Sequence, residues 1–494
     1  MIALTSNVRI SPSNEPMSRS LEIQEELDNA TGRPELLSIW NQNSPRVYIS
    51  VILNFPLNNS CIEQTIRHLD SSLKRLACER PLFAARLHAA SVAQPGLAHL
   101  VYSPENQIPF EVSLGPRDVT EDYGQIRGRG FPPSLFIKPQ FGIPGSIGAE
   151  SDPLPVSRVH ALVIQGGLLL AVYLHHSLCD GDSLRIFLEC FAAQTRGDAI
   201  NRPSEQTFIG PGARRQSPST LLSLISKCPE YTLLPNFNGP TQPLYSSSGT
   251  PLEAIGKTGK IFVFRRDRIA QLQAAVQAHL RLDKPPSTYT CLAALSFAHI
   301  IRARLSAESF LPETETRGDA MLWNSVNWRS RAFQNLTGDY FGNAALPAVT
   351  KATRQQLLLA CQDIATLATL IPLIRQSIDA VDEEYVRRRL AMVSASSDPR
   401  IIGVNFDPRM PQCLAFNTWR HFGADVTWEI PGVPVEKPDA IRRAHGSWNL
   451  GTALILPARA SSEFQELFVS LSQSAMDLLC EDKEWLEWID RVIG

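Results

Sequence analysis

The amino-acid sequence predicts an α/β protein of two domains, in which strands and helices alternate. Three observations lead there. The chain has 494 residues, too many for one hydrophobic core, and length alone implies two or three domains of about 150 to 250 residues. Strand-like and helix-like apolar periods alternate from Arg46 onward, as in an α/β chain. Between residues 201 and 257 the composition shifts to Pro, Ser, Gly and Thr, dividing the chain into 1–200, a crossover at 201–257, and 258–494.

The first 45 residues are polar and proline-bearing, and RVYISVILNFPL from Arg46 then reads as a strand rich in Val and Ile. Ile62, Ile66, Leu69, Leu73 and Leu76 recur at helical spacing, one buried stripe ending before Pro81. Leu97 to Val112 reads as strand and turn, and Phe131 to Pro155, loaded with Gly, Pro and Ser, as irregular surface loop. From Val159 to His176, VHALVIQ and LLLAVYLHH flank Gly166-Gly167, the pattern of a β-hairpin. Asp182 or Ser183 is expected to cap the next helix, whose Leu184, Phe187, Leu188 and Phe191 fall at i, i+3, i+4 and i+7. The second half opens with a strand, Lys260 to Arg266, a helix over Ile269 to Leu280, and another from Ser287 or Thr288 through Arg304. Gln355 to Met392 is helix-rich, strands are expected near Ile401, Leu414 and Leu454, and Phe464 to Ile489 reads as mostly amphipathic helix.

Composition narrows the function. Apolar residues at 44% and charged residues at 19% describe a folding chain rather than a disordered one. A net charge of -2 with no basic run offers nothing to a nucleic-acid backbone. Nine scattered cysteines without a CxxC pair point to reduced thiols in a cytoplasmic compartment. The opening MIALTSNVRISPSNEPMSRS lacks the pattern of a secretory signal. The longest apolar stretch, Ala161 to Leu174, is broken at Gln165, Gly166 and Gly167 and falls short of a membrane span. The expectation is a cytoplasmic monomer with neither nucleic-acid nor membrane partners.

Chemistry concentrates at His175-His176-Ser177-Leu178-Cys179-Asp180-Gly181, at the end of a buried strand and before a helix. A neutral imidazole suits proton removal from an attacking alcohol or amine, because its pKa lies near working pH. The Asp can bind an Arg and hold the turn, and the Gly can let the backbone bend behind it. By itself the pattern also fits a satisfied polar turn. Adjacent histidines point to opposite faces of a strand, and no third or fourth ligand is evident, so no metal site is expected. Cys179 reads as a small apolar turn residue rather than a nucleophile.

HHSLCDG after a buried strand resembles the HHxxxDG signature of the BAHD acyltransferases, their fungal trichothecene 3-O-acetyltransferase-like branch and the related condensation domains. Further segments carry the likeness: LKRLACERPLFAARL (Leu73 to Leu87), STYTCLAALSFAHIIRAR (Ser287 to Arg304), NWRSR (Asn327 to Arg331) and Tyr340-Phe341-Gly342-Asn343. In order, the matches cover most of residues 46 to 480. One segment departs: where the family has DFGWG, this chain reads Asp425-Val426-Thr427-Trp428-Glu429 and then PGVPVEKPDAIRR, keeping the Asp and a downstream Pro and Arg.

The resemblance implies two pseudo-symmetric chloramphenicol-acetyltransferase-like domains with an active-site channel at their interface. It implies transfer of an acyl group, acetyl in this branch, from acyl-CoA to a hydroxyl of a small specialised metabolite. His176 would be the general base, Asp180 would pair with Arg329, and His175, Gly181 and Asp425 would support the motif. No bound cofactor is implied, acyl-CoA being a co-substrate that Ser287 and Thr288 could contact, although both are also good helix N-caps. The departure at 425–429 keeps open a carrier-protein thioester as donor in place of acyl-CoA. N-acylation and a non-catalytic binding role on the same scaffold stay open as well. Trp419, Trp428 and Trp448 are candidates for an acceptor pocket or for core.

Overall fold

The computed structural model describes residues 35–89, 96–115, 120–147, 152–200, 218–234, 248–333 and 340–494. Its first half is built on a five-stranded sheet of β2 (Tyr48–Pro56), β5 (Phe110–Leu114), β7 (Ser157–Ile164), β8 (Gly167–His175) and β15 (Ala440–Arg443), in the order β15-β2-β8-β7-β5. The expected hairpin is β7 and β8, with Ile164 opposite Gly167 and Gly166 at φ +74° in the turn. All nine residues of β8 are buried, because the strand is central and covered on both faces. Leu168, Leu170, Val172 and Leu174 join the main core of this half, and the alternate residues Leu169, Ala171 and Tyr173 a second cluster. Against the main core lie helices α1 (Ile62–Glu79) and α2 (Gly181–Arg196). At about 1.5–3 kcal/mol per buried large apolar side chain, this double-sided burial fixes β8, and with it the position of the histidines at its end.

A smaller sheet flanks this half, formed by β1 (Glu35–Leu36), β3 (Arg86–Ala89), β4 (Ala98–Val101) and β6 (Leu154–Pro155) in the order β1-β4-β3-β6. The second half carries a seven-stranded mixed sheet. Its members are β10 (Lys257–Arg265), β11 (Ala320–Asn327), β12 (Ala345–Ala352), β14 (Cys413–Thr418), β16 (Thr452–Ile455), β17 (Phe464–Ser472) and β18 (Ile489–Ile493), in the order β12-β11-β14-β16-β17-β10-β18. Helix α3 (Arg266–Leu280) follows β10, and α4 (Thr288–Ala307) is buried along most of its length. Apolar residues around its whole circumference give α4 no solvent stripe, so it forms the centre of this core. One strand crosses the division of the chain: β15, from the second half, pairs antiparallel with β2, Arg443 opposite Val51.

Several local expectations are corrected. Phe464 to Ile489 is not mainly helix: β17 occupies Phe464–Ser472, pairing with both β10 and β16, and helix is confined to Gln473–Glu481 and Lys483–Leu486. The run FQELFVSLS is buried from Leu467 onward, and a short apolar run of this kind does not itself distinguish strand from helix. The crossover at 201–257 is partly folded. A helix at Pro218–Ile225 and strand β9 (Tyr231–Leu233) lie there, β9 pairing with β13 (Ile402–Val404), while 201–217 and 235–247 fall outside the described residues. The cap of α2 is Asp180, whose carboxylate accepts from the Ser183 N–H, rather than Asp182 or Ser183.

Candidate active site

His176 lies one residue beyond β8, its N–H donating to the Val47 carbonyl at 2.7 Å, so the chain still follows the ladder of β2. The two histidines diverge as strand alternation requires. His175 is fully buried. Its Nδ1 accepts from the Ser177 N–H at 3.2 Å and its Nε2 is 2.8 Å from the Gly145 carbonyl, which assigns the proton to Nε2. Tyr48 packs edge-on against the ring at 4.9 Å. Burial pushes the His175 pKa down to about 4. It is a neutral structural residue, pointing away from the cavity.

His176 is partly exposed and lines a cavity of about 560 Å³ between the two halves. Its Nδ1 lies 3.2 Å from Asn343 Oδ1. Asn343 uses its amide NH₂ on the His176 carbonyl, at 2.8 Å, and on Asn41 Oδ1, at 3.0 Å. Its oxygen is therefore the acceptor for an Nδ1–H, and Nε2, which has no hydrogen-bond partner among the described residues, carries the lone pair. Burial holds the His176 pKa below the usual imidazole value, offset in part by nearby carbonyls, Asp180 and Asn343. The ring is neutral at pH 7.

Asp180 and Arg329, 149 residues apart, form a buried two-pronged pair at 2.8 and 2.9 Å. The carboxylate also accepts from the N–H groups of Ser183 and Ala344, and the guanidinium donates to the carbonyls of Tyr340 and Gly342. Burial alone would raise the Asp180 pKa, but the Arg329 charge and these hydrogen bonds hold it below the usual carboxylate range. The pair ties the turn after β8 to the segments that deliver Asn343. Neither side chain lines the cavity.

Other sequence-derived residues fall differently. Gly181 does not sit at positive φ. A Cβ there would lie 2.5 Å from the Phe422 ring, so close packing, not a backbone bend, demands glycine. Asp425 is exposed and does not touch the motif; it accepts from the Ala460 N–H at 2.8 Å and approaches Lys437 at 3.3 Å. Ser287 caps α4 through its hydroxyl, 3.1 Å from the Thr290 N–H, and neither it nor Thr288 lines the cavity. Of the three tryptophans, Trp419 lines the cavity, Trp428 is buried against Phe55 and Phe191, and Trp448 stacks on Phe468 beside an adjoining cavity. The Cys179 thiol is fully buried and burial pushes its pKa well up, which removes it as a nucleophile. Among the described residues no three His, Cys, Asp or Glu side chains gather as a metal site, and no single helix is long and apolar enough to cross a membrane.

Sequence reasoning missed two residues that hold the imidazole. Asn343 is visible in the sequence only as part of the YFGN likeness. Asn41 has no local signal, because its role depends on a contact with a residue 302 positions away.

A family profile described as the Transferase family matches residues 152–486. Acyltransferase cm3D of Cordyceps militaris is 22% identical over 90% of this chain and 93% of its own length. Trichothecene 8-O-acetyltransferase of Fusarium sporotrichioides is 21% identical over 86% and 92%. The crystal structure of F. sporotrichioides TRI101 complexed with coenzyme A and T-2 matches with a TM-score of 0.70 at 19% identity, covering 93% of this chain and 100% of that one. Vinorine synthase matches at 0.58 and 17% identity, covering 93% and 94%. The chain belongs to the Transferase family, the BAHD acyltransferases, and shares its fold with TRI101. It is an acyltransferase with the chloramphenicol-acetyltransferase-like fold of that family.

Proposed function

We propose that this protein transfers an acyl group, acetyl by analogy with its fungal relatives, from acyl-CoA to a hydroxyl of a small specialised metabolite, with His176 as general base. The observation that carries the reading is the Asn343 contact, which leaves the Nε2 lone pair free at the cavity wall. In this scheme Nε2 takes the hydroxyl proton as the oxygen attacks the thioester carbonyl. The tetrahedral oxyanion then collapses, the C–S bond breaks, and the protonated imidazole returns its proton to the departing thiolate. Trp419 is the proposed oxyanion donor: its Nε1–H approaches Gly181, 3.6 Å from where a Cβ would stand, and has no partner among the described residues. Asp180 and Arg329 act as positioning residues.

The crystals of the structural relatives with coenzyme A support a CoA donor. A reducing cytoplasmic compartment is the proposed setting, supported by nine cysteines of which none joins a disulfide among the described residues. The experiment is acyl transfer by purified protein from a panel of acyl-CoAs to metabolite extracts, comparing wild type with His176→Ala. A product formed by wild type and lost in the variant is expected. Transfer only from a carrier-protein thioester would replace the CoA donor. Equal product with and without the imidazole would overturn the base assignment.

A further inference from the structure

The wall of the central cavity carries one permanently charged side chain among the described residues, Arg443. The rest is mainly aromatic and aliphatic, with neutral amides and hydroxyls, and includes no Asp, Glu or Lys. Arg443 makes no hydrogen bond or ion pair within the described residues, whereas Arg442 beside it is paired with Glu466 at 2.7 Å. Burial lowers the Arg443 pKa to about 10 with no acidic group acting against it. Arg443 is half-buried, and a guanidinium that gives up part of its hydration without gaining a counter-charge costs the fold. Such a group is explained where a ligand brings the missing anion.

Its placement is specific. Arg443 is opposite Val51 on β2, and Ile49, two residues along, is opposite Leu174 on β8. Strand alternation puts Arg443, Val51, Ile49, Leu174 and His176 on one face of the sheet. Arg443 and His176 both line the cavity from that face. Four residues of strand and two strand spacings separate them, about 16 Å between Cα atoms. An anion at Arg443 therefore belongs to a part of the substrate remote from the reacting oxygen.

We propose that the acceptor carries a carboxylate, bound by Arg443 while the hydroxyl to be acylated reaches His176. This rests on the function proposed above. An aromatic-walled cavity of about 560 Å³ holds the body of such a molecule, and a planar guanidinium is matched to a carboxylate by two parallel hydrogen bonds.

The probes are 4-hydroxyphenylalkanoic acids of graded chain length and their methyl esters, tested on wild type, Arg443→Gln and Arg443→Lys. Binding is read first, without turnover, as quenching of the cavity tryptophans Trp40, Trp323 and Trp419, and acyl transfer from acetyl-CoA second. Acids that fit are expected to bind wild type at least about tenfold tighter than their esters, the value of one charge-assisted contact. The preference should vanish in Arg443→Gln and survive in part in Arg443→Lys, the variant that retains charge if the first does not fold. Equal binding of acids and esters by wild type, or an unchanged preference in Arg443→Gln, overturns the proposal. Loss of coenzyme A binding in Arg443→Gln with acid binding intact assigns the guanidinium to a CoA phosphate and also overturns it. Acid binding through Arg443 with no acyl transfer would instead sustain this site and count against the proposed reaction.

Discussion

Asn343 Oδ1 stands 3.2 Å from His176 Nδ1, across 167 residues of sequence, and this contact sets which imidazole nitrogen faces the cavity. Replacing His176 by Ala should cost the 10²–10⁴-fold that a positioned base contributes. Asn343→Leu should lower kcat by a smaller factor and leave the acceptor KM nearly unchanged. Asn343→Asp keeps an acceptor for Nδ1–H but adds a charge that favours the imidazolium, so its activity should require higher pH. Steady-state kinetics across pH separate these outcomes. A profile for Asn343→Asp identical to wild type would remove Asn343 from the tautomer argument.

The wild-type pH profile follows from His176. Burial holds its pKa below 6.5, so the base is already neutral at pH 7. The rate of acyl transfer should be flat from about pH 7 upward on this account and fall only on the acid side of the ordinary histidine value. A base limb midpoint above pH 7 in kcat/KM would contradict this.

The Asp180–Arg329 pair is nearly inaccessible to solvent. Removing one partner leaves an uncompensated buried charge, so Arg329→Met should destabilise by about 3–5 kcal/mol in urea unfolding, and Asp180→Asn with Arg329→Met should recover part of the loss. Because the folded-state pKa of Asp180 is depressed, its contribution is present above the ordinary carboxylate pKa and is lost as pH falls through the lower folded value. Arg329→Met should therefore show less acid-dependent unfolding than wild type.

His175 makes a separable prediction. Its pKa of about 4 in the folded chain lies below the unfolded value near 6.5, so between these values the unfolded chain binds the extra proton. Stability from this group is full above pH 6.5 and declines toward pH 4, by about 3 kcal/mol. Wild type and His175→Gln should differ in the slope of stability against pH in that window. Parallel slopes would be the contrary result.

Gly181→Ala should disturb the motif through Phe422, whose ring stands 2.5 Å from the added Cβ position. Pairing it with Phe422→Leu should restore activity if the clash is the cause. Failure of the double variant to recover would point instead to the backbone of the first turn of α2.

Local order supplied much of this protein's organisation in legible form. The β7–β8 hairpin, the apolar stripes of α1 and α2, and HHSLCDG at a strand end all follow from residues within a few positions of one another, where periodicity and turn chemistry act directly. The strand β17 reads as helix in the sequence because a short apolar run takes its conformation from the neighbours it pairs with, here β10 and β16. The likeness to a known family supplied the Asp180–Arg329 partnership that spacing could not. Tertiary structure alone decided the rest. It brought Asn41 and Asn343 together beneath the imidazole of His176. It also carried β15 across to the first sheet, setting an unpaired Arg443 on the same face as His176. These are contacts over 100 to 400 residues, made by packing and hydrogen-bond satisfaction across the whole fold, and no local pattern encodes them.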